Sequence, residues 1–374
     1  MSSVFNIDDY RGLAKKRLPK MVFDYLEGGA EDEIGLKHNR DVFSQWRFSP
    51  KRLVDVSRRD VSARVLGKAQ SLPLLIGPTG LNGALWPNGD VALARAAAKA
   101  DIPFVLSTAS NVSIEELANQ VDGDLWFQLY VIHTEVAKSL VLKALNAGYT
   151  TLVLTTDVAV NGNRERDLRN RFKMPMSYTP KVILDGCLHP RWSFDLLRHG
   201  KPELANFVTT DATNLEIQAA IMSRQMDASF DWQALRWLRD LWPHTLLVKG
   251  ILNAHDAARC ISEGVDGVIL SNHGGRLLDC SVSLMETLVQ SVQAPGKQVV
   301  NNRGFRTGSD IVKAPALVAE AVLLGRATLY GLAARGEAGV TEVLTLLRAD
   351  IDRTLAQIGC PSISDLSHEY LVSN

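Results

Sequence analysis

The segment Ser271-Asn272-His273-Gly274-Gly275-Arg276 places an imidazole and a guanidinium three residues apart, directly after the apolar run Gly267-Val268-Ile269-Leu270. Histidine is the side chain best matched to proton transfer near neutral pH, and arginine's planar fork grips a carboxylate through two parallel hydrogen bonds. The two glycines allow a tight turn and a close approach of backbone to ligand. A histidine beside glycines is also what an ordinary loop contains, so the motif gains meaning only from the elements that present it.

Short runs rich in Val, Ile and Leu alternate along the chain with stretches of helical apolar spacing, the pattern of a parallel sheet connected by helices. Eight such runs occur, at 74–76, 104–106, 125–127, 151–154, 246–248, 267–270, 298–300 and 321–324. Helices are expected among them from Asp90, Ile114, Glu135 and Asn253 onward. Eight runs predict an α/β fold, a (β/α)8 TIM barrel over 1–374 as a single domain, since no linker of Pro, Gly or Ser divides the chain.

Barrel enzymes carry their chemistry at the C-terminal ends of the strands. In chain order the runs are followed by Pro78-Thr79-Gly80, Ser107-Thr108, Gln128 with Tyr130, Thr155 with Asp157, Lys249, Ser271 with His273, Asn301-Asn302, and Gly325-Arg326. Each alone is more readily a strand cap; eight in register make a site. A doubly wound dinucleotide fold is the main alternative, but no G-x-G-x-x-G follows the first strand and no G-x-x-x-x-G-K-[ST] occurs.

Lys plus Arg and Asp plus Glu both number 41 in 374 residues, so no global positive field points to nucleic acid. The four cysteines lie far apart without a C-x-x-C pair, against a disulfide framework or a structural zinc, and no metal is expected. Charges at Asp8, Asp9 and Arg11 precede any long apolar stretch, and no run is long enough to span a bilayer. A cytoplasmic chain without a signal peptide is the expectation.

Between the fourth and fifth runs lies an insertion over 177–213, too long for an ordinary connection from strand to helix. It interleaves Val182, Ile183, Leu184, Leu188, Trp192, Phe194, Leu196 and Leu197 with Lys181, Arg191, Arg198 and Lys201, opposed over 178–201 by Asp185 and Asp195. Aromatics, leucines and basic groups together suit a segment lying in a membrane interface; a lid or a subunit contact burying the same groups is the other reading.

Taken together, Tyr25-Leu26-Glu27-Gly28-Gly29-Ala30, Pro78-Thr79-Gly80, Gln128-Leu129-Tyr130, Thr155-Thr156-Asp157, Lys249-Gly250, the 271–276 segment and Gly304-Phe305-Arg306 resemble the FMN-dependent 2-hydroxy-acid dehydrogenase/oxidase family across nearly the whole chain. The stretches 77–86 and 124–133 most resemble the bacterial, membrane-associated branch that acts on (S)-mandelate. The resemblance implies FMN as cofactor, with His273 as base and Asp157 orienting its imidazole. It implies Arg276 and Arg164 as a carboxylate clamp assisted by Tyr25, with Tyr130 on the substrate hydroxyl. Lys249 would stabilise charge on the reduced flavin. Pro78, Thr79, Gly80, Ser107, Gln128, Thr155 and Ser271 would line the ring and ribityl chain. Asn302, Gly304, Arg306, Gly325 and Arg326 would lie along the ribityl and phosphate end.

The chain departs from the family at Asn301-Asn302-Arg303-Gly304, where an apolar residue, Asp, Gly or Ser, then Gly is usual; Leu277 replaces a usual Gln. Pro315 falls in the following helix, and Val318 stands where a glycine commonly ends it. These changes predict FMN binding of reduced affinity. Gly80 occupies a position where several oxygen-using relatives carry alanine, which implies a dehydrogenase passing electrons to a membrane quinone. The resemblance further implies a homotetramer, peripheral on the cytoplasmic face of the inner membrane. The rival readings are a soluble lactate- or glycolate-type oxidase releasing hydrogen peroxide and a membrane-bound scaffold that has lost its flavin.

Overall fold

A computed structural model describes residues 3–172, 179–208, 226–291, 297–300 and 304–373. Eight parallel strands close into a barrel: β1 (Leu74–Ile76), β2 (Phe104–Ser107), β3 (Leu125–Leu129), β4 (Thr151–Thr155), β5 (Thr245–Ile251), β6 (Gly267–Leu270), β7 (Lys297–Val300) and β8 (Ala321–Leu324). The closing pair sets Leu74 against Val322. All eight apolar runs are strands; in all but β7 the residues of the run are buried on both faces, which needs a continuous apolar sequence rather than an alternating one.

Alternation survives as a choice of neighbours. Leu75, Val105, Trp126, Val153, Leu247, Ile269 and Leu323 fill the barrel interior, while Ile76, Leu106, Phe127, Leu154, Val248, Leu270 and Leu324 pack outward against the helices. Removing each such side chain from water contributes about 1.5–3 kcal/mol. Two residues beyond the inward layer, the same period-2 direction brings Gly77, Ser107, Gln128, Thr155, Lys249, Ser271 and Gly325 to the barrel mouth. An apolar plug therefore sits beneath a polar floor.

The barrel's other end is closed by a hairpin, Ala63–Val65 against Lys68–Gln70, whose Val65 enters the interior cluster. Trp46–Phe48 pairs antiparallel with Leu371–Ser373 near the C-terminus. Helix starts follow local chemistry: Ser113, Asn253 and Thr307 cap the helices Ile114–Gln120, Ala254–Ser262 and Gly308–Ala316 through their side-chain oxygens. Pro315 lies in the last turn of that third helix, and Val318 just beyond takes a left-handed φ of 67°.

Within the insertion, helices Pro180–Leu188 and Pro190–His199 lie against the barrel. Trp192 is buried and donates its indole N–H to the Ala84 carbonyl at 2.8 Å; Asp195 pairs with Arg17 at 2.5 Å; Asp185 accepts the Lys20 N–H. Ile183, Leu184, Leu188, Phe194 and Leu197 face solvent, Leu197 with 85% of its surface exposed. No described helix is long and apolar enough to cross a membrane.

Candidate active site

His273 sits at the mouth of the barrel, in the loop after β6. Its own φ is 54°, a left-handed conformation that a side-chain-bearing residue adopts only when the surroundings hold it, and Gly274 and Gly275 continue the turn at 64° and 70°. The Ser271 hydroxyl accepts the His273 N–H at 3.1 Å and fixes the turn from the strand side.

The imidazole Nδ1 lies 3.0 Å from Asp157 Oδ1, and the Lys249 ammonium donates to Asp157 Oδ2 at 3.1 Å. Asp157 reaches this position through an irregularity in β5: the register shifts between Lys249 and Ile251, and Gly250, at φ 113°, leaves the space that the Asp157 side chain fills. Burial opposes ionisation of Asp157, but the charges of Lys249 and His273 and their hydrogen bonds outweigh it, so the carboxyl is held well below its ordinary range. When the imidazole is neutral, the ionised Asp157 favours the tautomer with its proton on Nδ1, and Nε2 then faces the Tyr130 hydroxyl at 3.4 Å.

Beside this centre lie two guanidiniums. Arg276 is buried and donates through Nη1 to the carbonyls of Tyr25 (2.7 Å) and Gly28 (3.0 Å), with its plane 5.0 Å from the Tyr25 ring centre. Arg164 lies 6.0 Å from the same ring. The Tyr25 hydroxyl donates to the Gly80 carbonyl at 3.2 Å. All of these border a cleft of about 1000 Å³, partly open to solvent, with Ile132, Val158, Leu204, Phe207, Leu277 and Leu329 supplying apolar wall. A narrow crevice continues beneath it over the strand ends, lined by Gly77, Pro78, Thr79, Thr155, Lys249 and Gly325 as well as Tyr130 and His273.

The structure thus brings His273, Asp157, Tyr130, Lys249, Tyr25, Arg164, Arg276, Pro78, Thr79, Gly80, Ser107, Thr155 and Gly325 around two connected cavities. Gln128 and Ser271 lie in the floor, where the side-chain Oε1 of Gln128 accepts from the Ser107 hydroxyl at 3.0 Å. At the expected phosphate end, Arg306 donates to the Phe305 carbonyl and lies over the Tyr330 ring, and Gly304 packs against the Asn39 backbone. The Arg326 guanidinium donates to the carbonyls of Leu26 (3.0 Å), Glu27 (2.8 Å) and Gly28 (2.8 Å), while its backbone begins the helix Arg326–Ile358. Asn302, with Asn301 and Arg303, lies outside the described residues.

A family model for FMN-dependent dehydrogenases matches residues 14–373. The chain belongs to the FMN-dependent dehydrogenase family. It is 77% identical over 369 residues to (S)-mandelate dehydrogenase of Pseudomonas putida, covering 99% of this chain and 94% of the relative. It is 38% identical to a peroxisomal (S)-2-hydroxyacid oxidase of Arabidopsis thaliana, over 99% of this chain and 97% of that one. A crystal structure of the monotopic membrane protein (S)-mandelate dehydrogenase superposes over the full length of both chains with a TM-score of 0.96 and 75% identity. A mandelate oxidase variant with (S)-mandelic acid gives 0.83 at 30% identity, covering 100% of this chain and 99% of that chain.

The residues fit the FMN that this family employs. Gln128 Nε2 and Thr155 Oγ1 are buried and lack a hydrogen-bond partner within the described protein, a costly arrangement that a ring or chain bearing polar groups would relieve. Thr155 lines the lower cavity, to which the residues just after β1 and β8 contribute Gly77 and Gly325. The sequence motifs did not disclose Asp167, Asn206, Leu204 or Phe207. Asp167 is three residues beyond Arg164 on one helical face, a spacing that was available. Asn206, buried and bonded to the Ile114 N–H at 3.0 Å, carries no sequence signal.

Proposed function

We propose that this FMN-dependent dehydrogenase oxidises (S)-mandelate to benzoylformate and passes the electrons to a membrane quinone. The observation that carries the reading is the Asp157–His273 pair at 3.0 Å, opening on a cleft that holds two arginines at one side and apolar wall at the other. Oxidising a 2-hydroxy acid removes two protons and two electrons. Arg164 and Arg276 hold the substrate carboxylate, and Tyr130 bonds the hydroxyl oxygen. His273 takes one substrate proton on Nε2, and the ionised Asp157 stabilises the imidazolium that forms. FMN, when bound, would supply the acceptor for the electron pair and the second proton. Whether the proton comes from carbon or from oxygen, it goes to the same nitrogen. Ser107, Gln128, Thr155, Ser271 and the 78–80 backbone hold the ring and its side chain; Lys249 faces them with positive charge. Asn302, Gly304, Arg306, Gly325 and Arg326 belong to the phosphate end of the same reading.

An apolar wall of Ile132, Val158, Leu204, Phe207, Leu277 and Leu329 suits a phenyl ring better than the hydrogen or methyl of glycolate or lactate. The outward apolar face of 183–197, with Arg191 within it and Lys181 and Arg198 at its ends, supports peripheral attachment to the cytoplasmic face of the inner membrane, where a quinone is at hand. We infer a homotetramer as well.

The visible spectrum of the purified protein, before and after anaerobic addition of (S)-mandelate, tests the reading. A flavin spectrum that bleaches is expected. A flavin that stays oxidised with mandelate but bleaches with lactate or glycolate, releasing peroxide in air, would replace it with the soluble-oxidase reading. A colourless protein that FMN does not reconstitute would leave a scaffold.

A further inference from the structure

Asp167 takes no part in the chemistry above, yet it is buried against both arginines of the site. It lies on the short helix Glu165–Arg169, and only 9% of its surface is exposed. Its Oδ2 is 3.4 Å from Arg164 Nη1 and 3.9 Å from Arg276 Nη2, so one oxygen stands between the two guanidiniums. Its carbonyl accepts the Phe172 N–H at 2.8 Å, and the Phe172 ring stacks on Tyr25 with centres 4.5 Å apart. Asp167 thus reaches both arginines directly, and Tyr25 only through Phe172 just beyond the helix.

We propose that Asp167 is a positioning residue for the carboxylate clamp, holding Arg164 and Arg276 converged on one point before substrate arrives. The proposal rests on the reading of those arginines as the clamp. Two guanidiniums in a partly desolvated cleft repel each other, and long side chains relieve that repulsion by swinging apart into water. Arg276 is restrained on its Nη1 side by the Tyr25 and Gly28 carbonyls; its Nη2 side and the whole of Arg164 are steered by Asp167. The carboxylate also sets the charge. Two arginines and one aspartate leave a single positive charge, which one monocarboxylate neutralises. Ordering the donors in advance removes an entropic cost that binding would otherwise carry.

The test uses the FMN-loaded enzyme and Asp167→Asn, which keeps size and removes charge. Two unreactive ligands are titrated by their perturbation of the flavin spectrum: phenylacetate, and phenylacetamide, which has the same ring without the charge. The proposal expects phenylacetate to bind about tenfold more weakly in Asp167→Asn, phenylacetamide to be unaffected, and Asp167→Glu to recover part of the loss. KM for (S)-mandelate rises while kcat at saturation stays within about threefold. Phenylacetate binding that is unchanged or tighter overturns the proposal, because charge removal alone would strengthen anion binding. Equal losses for both ligands also overturn it, since they mark general damage to the cleft. Arg276→Met separates the underlying reading: if phenylacetate binds that variant normally, the clamp itself is misassigned whatever Asp167 does.

Discussion

At the scale of single residues, the site is an arrangement of charges that fix one another. Asp157 is held ionised because Lys249 and His273 outweigh the cost of its burial, and its carboxylate favours the imidazole tautomer protonated on Nδ1. Asp157→Asn is expected to lower kcat by about 10²–10⁴ while FMN remains bound, measured by stopped-flow bleaching with substrate. Retained bleaching rates would show that the carboxylate has no part in orienting the base. Val318 is a different kind of residue-scale feature: a β-branched side chain in a left-handed conformation, more than half exposed, with nothing evident gained. Val318→Gly should stabilise the protein by about 1 kcal/mol, read as a higher urea midpoint. The sequence motifs made the chemistry legible at this scale because proton transfer and carboxylate binding demand particular side-chain types. They left Asp167 and Asn206 hidden because positioning is a matter of distance, and distance is what folding creates.

The strands were the most legible elements. Burial on both faces writes them as continuous apolar runs, so all eight could be located from β1 to β8 within a few residues. The hairpin 63–70 was not found, because its strands are three residues each and only Val65 is drawn into the interior. The insertion was recognised by length and composition, but composition alone left open how its apolar groups divide. The structure divides them: Trp192 inward with a bonded indole, Phe194 and Leu197 outward. If the outward face meets lipid, Leu197→Ser, which adds no charge, should cut partition into anionic vesicles about tenfold in a flotation assay, the loss of one buried leucine, with turnover in detergent unchanged. Equal partition of the two proteins would move the contact to another surface.

For the molecule as a whole, two buried carboxylates give stability opposite responses to pH. Burial pushes Asp90 up to about 6, against the hydrogen bonds from the Asn82 amide and the Asn111 N–H that favour its charge. Between its unfolded value near 3.8 and that folded value the native state holds the extra proton, so stability falls by about 3 kcal/mol as pH rises through this window. Asp157 is depressed instead; its contribution is present above the ordinary carboxylate range and is lost only as pH falls through its folded value. Urea titrations of Asp90→Asn at pH 4.5 and 6.5 should therefore show a smaller stability loss between the two than the parent protein does. A parent protein equally stable at both values would mean that Asp90 stays charged when folded. The closing pair of the barrel bears on how the protein is made. Leu74 finds its partner only in Val322, and Trp46–Phe48 pairs with residues 371–373. A ribosome exposes the first half of each pair long before the second exists, so a nascent chain carries an unzipped ring whose β1 edge is apolar and unpaired. Release of chains ended early, by premature termination or proteolysis before residue 320, would deliver that open edge to the cell, and chaperone demand during synthesis follows from barrel closure rather than from the active site.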